Sequence, residues 1–112
     1  MWMKNKTKDR VIGEHVMLAD TFWKRLKGLL GTSSLPRGHG LIIRPCSSVH
    51  TFGMAYPIDV LFVHEDHRVL KIVENMGSGK MSMASGSGYV VELPAGTVQE
   101  TECSVGDVLE WK

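Results

Sequence analysis

Apolar positions along this chain fall into short runs of two periods. The clearest is Ile58 to His64, a β-rich run interrupted only by Asp59. Glu65-Asp66-His67 then makes a polar turn, and Arg68 to Val73 returns as Arg-Val-Leu-Lys-Ile-Val. Two β-rich runs across a short polar gap predict a hairpin. Val11 to Leu18 reads as an earlier strand, in which Ile12, Val16 and Leu18 share a face with Glu14, so its two-residue period is imperfect. Leu41 to Ile43, ended by Pro45, is a short strand, and Val49 to Phe52 is β-prone. Tyr89 to Leu93 is a further strand, and Val108 to Trp111, after the Gly106-Asp107 turn, closes the series.

One stretch has a helical period. Asp20-Thr21 offers a side-chain oxygen to orphan backbone N–H groups. Phe22, Leu26, Leu29 and Leu30 follow as one apolar stripe, with Lys24 and Lys27 off it and Gly28 and Gly31 as terminators. A helix of about ten residues or fewer is unstable alone, so this one is expected to pack on a sheet. Gly31 to Gly40 is a turn-rich loop, and Ala95 to Cys103 is a brief helix or turn. Asn75 to Gly88, rich in Gly, Ser and Met, is long for a loop in a compact domain and is read as either mobile or functional. The sum is an α+β domain of six to seven short strands. Short links favour antiparallel pairing, in a curled sheet or partly open barrel with one packed helix.

Composition narrows the picture. The 112 residues fit a single domain, with 1–9 expected to be a flexible N-terminus. An apolar share of 43% and a charged share of 22% can supply a core without a metal or disulfide. Thirteen basic against 12 acidic residues leave a net charge of +1, which gives no field for a phosphate backbone. The cluster Lys4, Lys6, Lys8 and Arg10 is read as a solvated terminus, and nucleic acid is not an expected partner. No apolar run approaches the about 18–20 residues that span a bilayer, and Met1 to Arg10 lacks the apolar segment of a secretory signal. The expectation is a cytoplasmic monomer without membrane contact, whose Cys46 and Cys103 are thiols.

The densest chemistry lies between Pro45 and Asp59. Cys46, His50 and Met54 recur every four residues, a spacing that keeps them on one face in strand or helix. Thiolate, imidazole and thioether would suit Cu(I), but no fourth donor or metal motif accompanies them, and no metal or cofactor is expected. Cys46 and His50 are also candidates for nucleophile and base, which would need an orienting carboxylate such as Asp59 or Glu92. Asp59 and Glu92 each interrupt an apolar strand. A buried carboxylate requires a hydrogen-bonded or cationic partner, and Arg25 and His50 are the partners expected for Asp59. Arg25, at the margin of the helical stripe, could hold a carboxylate in a bidentate fork. Gly77-Ser-Gly-Lys80 imitates a phosphate loop but has Glu74 for its leading Gly and Met81 for its Ser or Thr. Met76, Met81 and Met83 read as part of a flexible linker rather than a copper loop.

These segments together carry a resemblance. Thr21-x-x-x-Arg25-x-x-Gly28-Leu29-Leu30, His50-Thr51-Phe52-x-Met54 with Pro57-Ile58-Asp59, Tyr89-Val-Val-Glu92-Leu-x-Ala-Gly96 and Gly106-Asp107 resemble the DUF192 family over roughly Val16 to Trp111. The resemblance implies a compact β-rich domain with a helix and supplies no activity. Gly53 stands where relatives carry an aromatic, often Trp, and Leu30 and Thr32 where they carry Met and Arg. That implies a wider or different pocket if the aromatic lines one elsewhere. Many relatives carry leader sequences, and none is apparent here.

The leading expectation is a non-enzymatic binding domain. Its site would be a polar cleft of Arg25, His50, Thr51, Met54, Asp59 and Glu92, open to a small molecule, a peptide or a partner protein. A Cys46/His50-dependent enzyme and a soft-metal (copper) carrier are the alternatives. A purely structural partner module would show an exposed apolar patch, for which Trp2, Trp23 and Trp111 are the residues to inspect.

Overall fold

The computed structural model describes residues 1–112. Strands β1 (Met3–Asn5), β2 (Arg10–Gly13) and β3 (His15–Ala19) precede helix α1 (Phe22–Lys27). Then come β4 (His39–Ile43), β5 (Ser48–His50), β6 (Ile58–Val63), β7 (Val69–Met76), β8 (Met81–Met83) and β9 (Tyr89–Pro94). Helix α2 (Thr97–Thr101) and β10 (Leu109–Trp111) end the chain. The class is α+β, built on one open five-stranded sheet in the order β3-β4-β9-β6-β7, with a three-stranded sheet β10-β1-β2 and a small pair β5-β8. All pairings are antiparallel except β3 with β4, which run parallel. The loop and helix between them supply the long crossover that parallel strands need.

Ten strands replace the expected six to seven, for three local reasons. The predicted Val11–Leu18 strand is two strands in different sheets. The chain crosses between them at Gly13, where an added Cβ would lie 2.8 Å from the Gly38 carbonyl oxygen, and Glu14, which broke the alternation, is exposed at the crossing. The segment read as a Gly/Ser/Met loop contains β8, whose Ser82 pairs with Val49. The terminus expected to be flexible is instead β1, the middle strand of its sheet, with Met3 and Asn5 both fully buried. Lys4 lies within this strand, which pairs on both edges, and Lys6 and Lys8 follow it.

Alternation in β6 and β9 divides the interior in two. Leu61 and Val63, with Tyr89, Val91 and Leu93, face one core with Met3, Ile12, Val98 and Leu109. Ile58, Val60 and Phe62, with Val90, face the other with Leu29, Leu41, Ile43, Val49 and Met54. The first layer is covered by the three-stranded sheet and α2, the second by the segment after α1 and by β5.

The predicted helical stripe is realised only in part. Thr21 caps α1 by accepting the Lys24 N–H at 3.2 Å. The helix stops at Lys27, because Gly28 takes φ +51° and ψ −127°, a region open to glycine. Leu29 and Leu30 then reach the core from the following turn. Phe22, Trp23 and Leu26 are left outside, 62%, 74% and 61% exposed. A stripe drawn through Leu30 assumed about one more turn than the chain forms. No helix is long and apolar enough to cross a membrane.

Candidate functional site

A cavity of about 130 Å³ opens over the second face of the main sheet. One wall is Arg25 to Leu30, from the end of α1 and its turn, and the other is Pro45 to His50, leading into β5. Ile43 and Glu92 lie beneath them, and Val49 and Met54 close it with apolar surface. Of the residues predicted for a cleft, Arg25, His50, Met54 and Glu92 do line one, and so does Cys46. The expected co-facial set is not realised: Cys46 and Met54 pack with Val49 in the second core, while His50, the next position in β5, is exposed at the rim.

Thr51 and Asp59 do not belong to the cleft. Thr51 is fully buried, donates its hydroxyl to the Gly77 carbonyl at 2.6 Å and accepts the Lys80 N–H at 2.9 Å. It binds the 77–80 turn to the body of the protein. Asp59 pairs with Leu93 across β6 and β9, whereas Glu92 pairs with Val60. In neighbouring strands, residues directly opposite share a face and the next position turns to the other. The two carboxylates thus stand on opposite sides of one sheet.

Asp59 finds its partners there. Its Oδ2 accepts the Gly96 and Val98 N–H groups at 3.1 and 2.9 Å, capping α2 from a neighbouring strand where the helix has no side-chain cap of its own. Its Oδ1 accepts the Asn75 N–H at 2.8 Å, at the irregularity where the β6–β7 register shifts. Neither Arg25 nor His50, the partners expected from the sequence, reaches it. Asp59 is a structural carboxylate, and the signal that could have separated it from Glu92 was the pairing register, which a single strand does not carry.

Glu92 has the opposite environment. It is 5% exposed, and no protein group donates a hydrogen bond to its carboxyl. Burial alone pushes its pKa up to about 7, because desolvation penalises the charged form. Gly28 comes close above it: a Cβ there would lie 3.8 Å from Glu92 Oε1. Across the cleft, Arg25 donates one long bond, 3.4 Å, to the Pro45 carbonyl, while its enclosed Nε has no acceptor. Arg25 and Glu92 form no ion pair.

Cys46 lies within reach of both charges, Glu92 raising and Arg25 lowering its pKa, but burial is the largest influence and the net direction is up. Its Sγ donates to the Ser48 carbonyl at 3.1 Å. His50 instead stacks on Phe52, ring centroids 5.4 Å apart. No group of three His, Cys, Asp or Glu side chains is placed to hold a metal ion. Cys103, buried against the first core, is pushed up to about 11, mainly by burial. Gly53 takes φ +80° beside Leu30 and stands next to, rather than in, the cavity wall. Of the three tryptophans, Trp23 is the most exposed, and with Phe22 and Leu26 it forms an apolar rim on α1 beside the cleft.

The family model DUF192, described as "Uncharacterized ACR", matches residues 1–111. A UPF0127 protein of Thermococcus gammatolerans is 34% identical, over 96% of this chain and 72% of its own length. Among solved structures, a protein of unknown function from Novosphingobium aromaticivorans superposes with a TM-score of 0.85 at 25% identity, covering 99% of this chain and 84% of that one. A Sinorhizobium meliloti protein, provisionally described as a transcription regulator, superposes with a TM-score of 0.83 at 26% identity, covering 97% and 89%.

Proposed function

This chain belongs to the DUF192 family, whose description names no activity, and from that premise we propose that it is a non-enzymatic domain binding a small molecule in the cleft between α1 and β5. One observation carries the reading. Two side chains of opposite charge line one cavity: the Arg25 guanidinium, whose one bond is the long contact to the Pro45 carbonyl and whose enclosed Nε is unpaired, and the buried Glu92 carboxyl, which accepts no hydrogen bond from the protein. Buried polar groups in native proteins are nearly always satisfied, and each left unmade costs about 1–3 kcal/mol. A ligand that bonds both recovers that deficit on binding.

The enzyme alternative has less support. A cysteine nucleophile needs a low thiol pKa and a bonded base. Cys46 is shifted the other way and spends its hydrogen bond on a backbone carbonyl. A soft-metal carrier would need the same thiolate. The role attached to the Sinorhizobium protein, transcription regulation, is not favoured by a net charge of +1, since phosphate binding draws on an excess of Lys and Arg.

Native mass spectrometry of the protein purified from its own host tests the proposal. The expected result is a small-molecule adduct that denaturation removes and that is absent from Arg25→Ala. Wild type and Arg25→Ala both emerging without any adduct would sink it.

A further inference from the structure

Resting on the cleft reading above, we propose that the ligand is a small zwitterion of the apolar α-amino acid class, its carboxylate held by Arg25, its ammonium by Glu92 and its side chain by Leu29, Leu30 and Met54. The two polar side chains that line the cavity have opposite charge and are not paired with each other; Glu92 accepts no hydrogen bond from the protein, and Arg25 makes only the long contact to the Pro45 carbonyl. A guanidinium matches a carboxylate in charge and in hydrogen-bond geometry. A carboxylate is acceptor-only when ionised, so Glu92 asks for a donor, and an ammonium supplies both the donor and the countercharge. A ligand with only an acid would leave Glu92 unpaired, and a simple amine would leave Arg25 unpaired. An uncharged ligand would leave both.

The space between the two ends limits size and character. About 130 Å³ is well below the about 300–1,000 Å³ of pockets for drug-sized ligands. Half of the lining residues are hydrophobic, 7 of 14. A single amino acid with an aliphatic side chain meets both constraints, whereas a nucleotide or sugar phosphate meets neither. Gly28 contributes by leaving the space above Glu92 Oε1 free of a side chain.

Protonation adds a signature. Ammonium binding requires ionised Glu92, and burial pushes the pKa of that carboxyl up to about 7. Affinity therefore rises with pH, by about tenfold between pH 6 and pH 8, as the ionised fraction goes from about one in eleven to about ten in eleven. The other charged or titratable groups around Glu92 are Arg25 and Lys27 on α1, Cys46 before β5 and His50 in β5. His50→Asn isolates the imidazole and is expected to leave the rise in place.

Calorimetric titration with leucine, leucinamide and 4-methylpentanoate provides the test. Leucinamide lacks the carboxylate and 4-methylpentanoate lacks the ammonium. Leucine is expected to bind at least about tenfold tighter than either. Arg25→Ala should abolish its advantage over leucinamide, and Glu92→Gln its advantage over 4-methylpentanoate together with the pH dependence. Circular dichroism melts establish that both variants are folded. If either analogue matches leucine in wild type, the zwitterion proposal is overturned while the cleft reading stands. If no amino acid of the apolar series binds but the host-purified protein retains another adduct, the ligand class is wrong and the cleft right. Absence of both binding and adduct overturns the two together.

Discussion

Two acidic residues in adjacent central strands meet opposite fates, and the difference has measurable consequences. Glu92 is an acid whose pKa is raised from 4.5 to about 7 by burial. Between those values the folded protein holds a proton that the unfolded chain has released, so stability falls as pH rises through this window and is level above it. A shift of this size corresponds to about 3 kcal/mol. Glu92→Gln removes the effect. In urea denaturation from pH 4.5 to 8, the variant should match wild type at the acid end and gain on it steadily up to about pH 7. Asp59, by contrast, accepts three backbone N–H groups from two other segments. Asp59→Ala leaves those donors buried and unpaired, and the expected loss is about 3–5 kcal/mol, read as a large drop in the denaturation midpoint. A loss below about 1 kcal/mol would remove Asp59 from its capping role.

At the scale of elements, α1 is too short to persist by its own hydrogen bonds. It is held by the Thr21 cap, by the Gly28 N–H bonding back to the Lys24 carbonyl at 2.9 Å, and by Leu29 and Leu30 anchored just beyond it. The apolar residues on its outer side contribute little to that anchorage. Trp23→Ser and Leu26→Ser, each made singly, should change stability by no more than about 0.5 kcal/mol, whereas Leu29→Ala should cost about 2–4 kcal/mol. Equilibrium unfolding of the three variants distinguishes these cases. The helix start was legible in Asp20-Thr21 and the stripe in its spacing. The stop was ambiguous between Gly28 and Gly31, and that choice decides whether Phe22 and Leu26 lie on the same face as Leu29. Likewise β8 was hidden in the sequence, because Met-Ser-Met shows little strand preference by itself. It becomes a strand through pairing with β5 and through Thr51 securing the turn before it.

At the scale of the whole molecule, the chain's two ends meet in one sheet: Met3 pairs with Trp111 and Asn5 with Leu109. Asn5 also donates to Asp107 at 2.8 Å, and Asp107 further accepts the Ser104 N–H at 2.9 Å and the Lys8 ammonium at 3.0 Å. Removing residues 1–5 would strip β10 and β2 of their common neighbour and open the first core at Met3. The truncated protein is expected to lose most of its cooperative unfolding, visible as a broadened or absent calorimetric transition. A transition as sharp as that of the full chain, within about 5 °C, would show that the three-stranded sheet is dispensable.

Local pattern alone determined the central strands, the start of the helix, the α+β class and the segments that supply the cleft. These rest on the two-residue and 3.6-residue periods, which short windows of sequence express. Tertiary structure decided which carboxylate faces the cleft, that the first residues form a central strand, and that Thr51 serves a turn rather than a ligand. The physical reason is that alternation tells which residues share a face but not what covers that face. The cover depends on register between strands about thirty residues apart, β6 and β9, where a slip of one position exchanges the two sides.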